Sequence, residues 1–137
     1  MATRRQFEYI PVKPYLSDIR IVNTLRRAFE DFRPHIIFHA AAYKHVPLQE
    51  LNPREAIFNN IQGTRRLADI ACEYGVERFV LVSTDKAVRS TNIMGASKRV
   101  AEMLLECRNG NSPTRFIAVR FGNVLGSSGN RSRIACR

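Results

Sequence analysis

The chain has 137 residues, 45% of them hydrophobic, which is the size of one globular domain with a core to bury. Its net charge of +10 comes from arginines scattered between Arg4 and Arg137, without the clustering, interleaved aromatics or module of a nucleic-acid binder. No apolar run approaches the roughly 20 residues of a membrane span, and Cys72, Cys107 and Cys136 lack the spacing of a disulfide framework or zinc site.

Residues 7–12 read as a short strand, with Pro11 placing it at a strand end. Ser17-Asp18 offers a helix cap. Behind it Ile21, Val22, Leu25, Ala28, Phe29 and Phe32 recur at the spacing of one helix face. Pro34 ends that helix, and residues 36–40 form a short buried strand. Asn52-Pro53 supplies a cap and a proline at the first helical position, and the helix it opens runs to about Tyr74, closed by Gly75. Residues 78–82 are the clearest strand. A helix over 94–107 stops before Asn109-Gly110-Asn111, and residues 114–121 make another strand. Gly126-Ser127-Ser128-Gly129 leads into Asn130 to Arg137, a polar, arginine-rich tail.

Strands separated by helices of this length imply βαβ units and an α/β fold, with a parallel sheet covered on both faces. In such a sheet ligands bind at the carboxyl ends of the strands. Three clusters come directly after strand ends: Ala40-Ala41-Ala42-Tyr43-Lys44-His45, Ser83-Thr84-Asp85-Lys86 and Gly122-Asn123-Val124. All three are expected to open onto one edge.

Ser83-Thr84-Asp85-Lys86 sets two hydroxyls, a carboxylate and an amine side by side. Such groups divide a proton-transfer task when their surroundings separate their pKa values. A lysine serves as base only when burial or a nearby positive charge lowers its pKa. Taken alone, the four residues are better read as a turn in which Asp85 caps the next segment and Lys86 is solvated. Met94 and Lys98 stand one helical turn apart. There a lysine can hold a ribose hydroxyl, though a methionine in that setting is ordinarily core.

Longer blocks carry a resemblance. They are residues 38–48, 50–56 and 59–64, then Ser83-Thr84-Asp85-Lys86-Ala87-Val88, Met94-Gly95-Ala96-Ser97-Lys98-Arg99 and residues 119–129. Together they resemble the CapD-type nucleotide-sugar 4,6-dehydratases, extended short-chain dehydrogenase/reductases of bacterial polysaccharide biosynthesis. The resemblance implies a Rossmann-like NAD(P)-binding sheet with flanking helices, here as a single partial domain over 1–137. Residues 7–129 match and 130–137 diverge. It implies NAD or NADP as cofactor, UDP-N-acetylglucosamine as substrate and a parent enzyme able to form a homo-oligomer; the free cysteines point to a reducing cytoplasm, the scattered charge to no nucleic-acid partner, and no metal site is expected.

Position by position, the resemblance implies that Asp18 and Ile19 meet the adenine, and that Ala40, Ala41 and Ala42 lie against the cofactor. Lys44 points toward the cofactor and substrate phosphates. Asn60 and Ser83 support the cofactor side of the site, and Lys98 binds the nicotinamide ribose. Thr84, Asp85 and Lys86 form the catalytic cluster, and Asn123 meets the sugar nucleotide. The implied reaction oxidises C4 of the sugar, eliminates water across C5 and C6, and returns the hydride to C6. Lys86 is the base at C5 and Asp85 the acid at C6.

Two departures shape the expectation. Met94 stands where the wider superfamily has tyrosine, which marks a subgroup and leaves the base for the C4 hydroxyl unassigned. The sequence also contains no glycine-rich turn of the kind that cradles a pyrophosphate. Residue 7 onward then corresponds to the third strand of the parent fold, the first two strands are lacking, and residues 36–40 become an open sheet edge. The reading is a dehydratase fragment with half a cofactor site. The alternatives are an inactive remnant or interaction module of the same fold and, less favoured, a basic nucleic-acid binder.

Overall fold

The computed structural model describes residues 12–122. The strand read at residues 7–12 lies outside that range except for Val12, which has no regular structure, and Asn123 also lies outside it. The sheet has three parallel strands in the order β1 (Ile36–His39), β2 (Arg78–Thr84), β3 (Arg115–Phe121). Between them run α1 (Val22–Phe32) ahead of β1, then α2 (Val46–Leu51), α3 (Pro53–Ala56), a π-helical stretch Ile57–Gly63 and α4 (Thr64–Glu73). A single turn Asp85–Ala87 and α5 (Ile93–Glu106) lead into β3. This is the partial Rossmann-like α/β arrangement that the sequence implies.

The core arises from strand alternation. Ile37, Phe79 and Phe116 lie in one register row, and His39 and Leu81 pair in the next. Against this face pack Leu25 and Phe29 of α1, Leu67, Ala68 and Ala71 of α4, and Ala101 and Leu105 of α5. The alanines are wholly buried, so helix backbones approach the sheet closely and leave Phe79 room between them.

The expectation of a sheet covered on both faces is corrected. The helices that touch the described sheet share the Phe79 face, and the opposite face leaves Phe38 and Phe121 exposed. The reason is topological. β1, β2 and β3 are laid down in one direction, and successive right-handed crossovers must then fall on the same side.

Helix boundaries moved for local reasons. α1 begins at Val22, not after Ser17-Asp18, because the Asp18 carboxylate is taken by Arg20 and Ser17 Oγ bonds Thr24 Oγ1 at 2.6 Å. It stops at Phe32, and Arg33 enters the left-handed region (φ 41°) just before Pro34. The single helix expected from Asn52-Pro53 to Tyr74 runs unbroken from Pro53 to Glu73, with its middle turns Ile57–Gly63 π-helical. Asn52 Nδ2 donates back to Leu48 O at 2.9 Å and its side chain caps nothing, and the π-helical stretch passes directly into α4. Gly75, as expected, closes it at positive φ (66°).

A buried carboxylate fastens α5 to β3. Glu102, 4% exposed, accepts from Arg120 Nε at 2.9 Å and Arg120 Nη2 at 2.6 Å, and from Arg99 Nη1 at 3.1 Å. The Arg120 fork, aided by Arg99, outweighs burial and holds the Glu102 carboxyl down to about 2. A depressed acid stabilises the fold above its ordinary pKa of 4.5 and loses that contribution as pH falls toward about 2. Glu102→Gln is expected to cost about 2 kcal/mol at neutral pH, the lower side of the range for broken buried pairs because both guanidiniums are partly solvated. Urea titrations should show the gap between wild type and variant narrowing between pH 4.5 and 2. An equal gap at pH 7 and pH 2 would refute the assignment.

Candidate active site

The candidate site is built where β2 ends. Thr84 Oγ1 accepts from Lys86 N at 3.3 Å and donates to Asp85 Oδ1 at 3.0 Å, so Thr84, not Asp85, caps the adjoining turn. Lys86 Nζ reaches the same Asp85 Oδ1 at 3.5 Å. The Thr84 hydrogen bond holds the Asp85 carboxyl below the usual carboxylate range against the opposing effect of burial, with lesser help from Lys86. Asp85 is therefore ionised and open to solvent, and Lys86 is partly exposed beside it.

The turn is seated on the start of α5. Asn92 caps that helix by accepting from Gly95 N at 2.8 Å, and Glu50 Oε1 accepts from Ile93 N at 2.6 Å. A side chain on Gly95 would bring its Cβ to 2.4 Å from Lys86 O and 3.1 Å from Lys86 C. Glycine is thus required for the Asp85–Ala87 turn to lie against α5. From the other side, a Cβ on Gly122 would stand 3.6 Å from Asp85 Oδ2, so the end of β3 borders the carboxylate.

Met94 and Lys98 both point inward from α5, at 5% and 8% exposure. Lys98 Nζ donates to Val82 O at 2.9 Å, and burial pulls its pKa down while Glu102 pulls it back up. The ammonium expected to take a ribose hydroxyl is therefore also tied to the β2 backbone. Ser83 Oγ, between these elements, is buried without a hydrogen-bond partner, although the Glu102 carboxylate lies near enough to feel it.

Asn60 joins the parts. It is 1% exposed and sits mid-way along the π-helical stretch. Its Oδ1 accepts from Tyr43 N at 2.9 Å, and its Nδ2 donates to Ser97 Oγ at 2.9 Å and Gln49 Oε1 at 3.0 Å. Ser97 Oγ in turn donates to Met94 O at 2.8 Å. One amide therefore ties the loop after β1 to the first turns of α5.

A second buried chain starts at His39, which no motif in the sequence singles out. Thr64 Oγ1 donates to Asn60 O at 2.7 Å, which uses its one hydrogen, so His39 Nε2 is the donor in the 2.8 Å contact with Thr64 Oγ1. Burial first, and the Lys98 charge second, push His39 down to about 4, so it is neutral near pH 7. The signals that could have found these groups were weak: a histidine closing an apolar strand, and a Thr four residues after an Asn on a helix.

The other expected residues are placed less centrally. Ala40 and Ala41 are exposed and Ala42 half-buried in the loop after β1, with Lys44 on its surface. Asp18 is engaged by Arg20, which also holds Glu55 at 3.1 Å, and its carboxyl is lowered chiefly by that guanidinium. Ile19 leans on Gly63, where a Cβ would come within 2.6 Å of Ile19 Cδ1. Ile19 thus lies against the π-helical stretch, and the Asp18 carboxylate is held by Arg20.

Residues 2–131 match the model of a family described as polysaccharide biosynthesis protein. The chain belongs to that family. A capsular polysaccharide biosynthesis protein CapD of Staphylococcus aureus is 50% identical over 126 residues, covering 91% of this chain and 20% of that protein. A UDP-N-acetylglucosamine 4,6-dehydratase (inverting) of Campylobacter jejuni is 38% identical over 135 residues, covering 92% of this chain and 40% of the enzyme. The solved structure of Pen from Bacillus thuringiensis superposes with a TM-score of 0.82 at 37% identity, over 94% of this chain and 40% of that one. The chain thus spans between a fifth and two fifths of the length of these proteins.

Gly95→Ala is expected to destabilise the chain by about 1–3 kcal/mol, the range for an insertion that backbone must yield to. It should also shift the amide resonances of Asp85, Lys86 and Ala87 more than those of β1. Spectra in which that turn is unmoved would show that the contact with Lys86 O has slack.

Proposed function

We propose that this chain carries the acid–base part of a nucleotide-sugar 4,6-dehydratase that acts on UDP-N-acetylglucosamine with NAD. The observation that carries the reading is the ionised Asp85 beside Lys86, bordered by Gly122 at the carboxyl edge of the sheet and seated on the Gly95 turn of α5. The resemblance in the blocks around these residues supports the same chemistry.

The residues present fit the nicotinamide end of a dinucleotide. Ser83 Oγ is a buried hydroxyl without a partner, Lys98 is a buried ammonium whose pKa is lowered by desolvation, and Ala40, Ala41 and Ala42 leave room for a flat ring. With Asn60 bracing the loop, these would hold the cofactor, while Lys44 and Asn123 would face the substrate phosphates and sugar. When bound, NAD supplies the hydride acceptor for C4 and the hydride donor for C6.

The side chains divide the protons. A thioether cannot accept the C4 hydroxyl proton, so Met94 is excluded and Asp85, ionised at rest, takes it. Lys86 is the group placed to remove the C5 proton once the adjacent carbonyl has made it acidic. Asp85, now protonated, gives its proton to the departing C6 hydroxyl, which leaves as water. The lysine then returns its proton to C5, and both groups end as they began. An acid with a lowered pKa suits this order because it must first act as a base.

Two measurements test the reading. The 137-residue chain alone, without a pyrophosphate cradle in its sequence, is expected to show no micromolar NAD binding by calorimetry and no turnover. The C. jejuni dehydratase with its matched segment replaced by this chain should convert UDP-N-acetylglucosamine in deuterium oxide to a 4-keto-6-deoxy product labelled at C5. In that chimera Asp85→Asn and Lys86→Ala should each lower kcat by about 10²–10⁴, the usual contribution of a positioned acid or base. Epimerisation at C4 without loss of water would sink the proposal.

A further inference from the structure

One side chain in the turn between α5 and β3 does the work of a strand. Asn109 Oδ1 accepts from Phe116 N at 2.9 Å, and Asn109 Nδ2 donates to Phe116 O at 3.0 Å. Successive peptide groups along a strand point to opposite neighbours. Arg115 N reaches Glu77 O at 2.9 Å on the β2 side, so the Phe116 groups face away from β2. There the Asn109 amide, with one donor and one acceptor placed like those of a peptide, stands in for a neighbouring strand. Phe116 is 5% exposed and its ring centroid lies 5.4 Å from that of Phe79, so the clamp holds a core residue.

The same residue opens the one Asn-Gly step in the chain. Gly110 sits at φ 89°, with nothing within 4 Å of the place a Cβ would take. Its N–H makes no hydrogen bond among the described residues. An unhindered backbone nitrogen next to a side-chain amide is the arrangement from which a cyclic imide forms. Gly110 N bonds to Asn109 Cγ, the Cγ–Nδ2 bond breaks, and Nδ2 leaves as ammonia with the Gly110 amide proton. Water then opens the imide at either carbonyl, leaving aspartate or isoaspartate. No oxidant or reductant enters the balance.

The clamp governs this step. While both ends of the Asn109 amide are bonded to Phe116, the group is fixed against the strand and is not free to turn onto Gly110 N. Opening the start of β3 releases it. Once the amide has become a carboxylate the donor is gone, and an oxygen without hydrogen faces Phe116 O. Reclosure then sets negative charge against a carbonyl oxygen left unmet. We propose that Asn109-Gly110 is a self-modification site, protected while Asn109 spans Phe116, exposed when β3 opens, and irreversible afterwards. Its only co-reactant is water, and it is independent of NAD, sugar or turnover.

The test incubates the full chain at mildly alkaline pH, native or unfolded in urea, and follows residue 109 by peptide mass spectrometry. Native conversion should be measurable but at least about ten-fold slower than in urea, set by the population of the opened strand. Phe116→Leu loosens the seat of β3 without touching the Asn-Gly step, and should speed native conversion several-fold. Asn109→Asp, which matches the product with an ordinary backbone, should raise the unfolding constant about ten-fold at pH 7. The facing carbonyl raises the pKa of the new carboxyl in the folded state. The deficit is therefore full above that raised value and should shrink as pH falls toward the ordinary aspartate value of about 3.9, where a protonated carboxyl again donates to Phe116 O. Equal native and unfolded rates, no native conversion, or a rate indifferent to Phe116→Leu overturns the proposal. An Asn109→Asp chain as stable as wild type at pH 7 overturns it too, since the product would then reclose the clamp.

Discussion

A buried primary amide must spend every donor and acceptor it has, and the side chain of Asn60 does so across three separate parts of the chain. Leaving any one of these unmet costs about 1–3 kcal/mol, so the loop after β1, α2 and the N-terminal part of α5 are held to one another as a set. The amide reaches all three because it projects from a π-helical stretch, whose wider turn advances its side chains differently from an α-helix. Without that stretch the same sequence would present Asn60 at another azimuth, and Tyr43 and Ser97 could not both be met. The geometry around Met94 and Gly95, and through Gly95 the seat of Lys86, depends on this joint.

Electrostatics sorts the titratable groups around that frame into two sets. On the solvent side Asp85 is kept charged by Thr84 and Lys86. On the buried side His39 is kept neutral by desolvation and by Lys98, whose own pKa is drawn down by burial and partly restored by Glu102. Glu102 in turn is fixed by the fork of Arg120. Each buried group is thus countered by the next along α5 and the sheet, which is how a strand end with several ionisable side chains stays folded at neutral pH.

The alternation of the fold was legible in the sequence because it rests on periodicity and punctuation. The strand at 78–82, the helix behind Met94 and the stop at Gly75 each come from short-range rules, and the structure places them within a residue or two. Asp85, Lys86 and Lys98 were legible as a cluster only through strand ends and the longer matching blocks. What escaped depends on partners distant in sequence. Asp18 looks like a cap until Arg20 takes its carboxylate, and Asn52 looks like a cap until Leu48 O takes its amide. The π-helical stretch has no period of its own to read. His39, Thr64 and Glu102 become a connected interior only when α4, α5 and β3 are brought together, and no window of neighbouring residues contains that information.

The two-faced strands show where pattern and topology part. Near-continuous apolar runs such as those of β2 and β3 ordinarily signal burial on both sides, and that inference is correct about what the residues are suited to. Coverage, however, is decided by the direction in which strands are laid down, and three strands added in one direction place every crossover on one side. Among the described residues, this sheet therefore carries more apolar surface than the helices packed on it bury. The cost of that surface grows with its area, at about 25 cal/mol per Å², while Arg78 and Arg115 at one end make its two directions unequal.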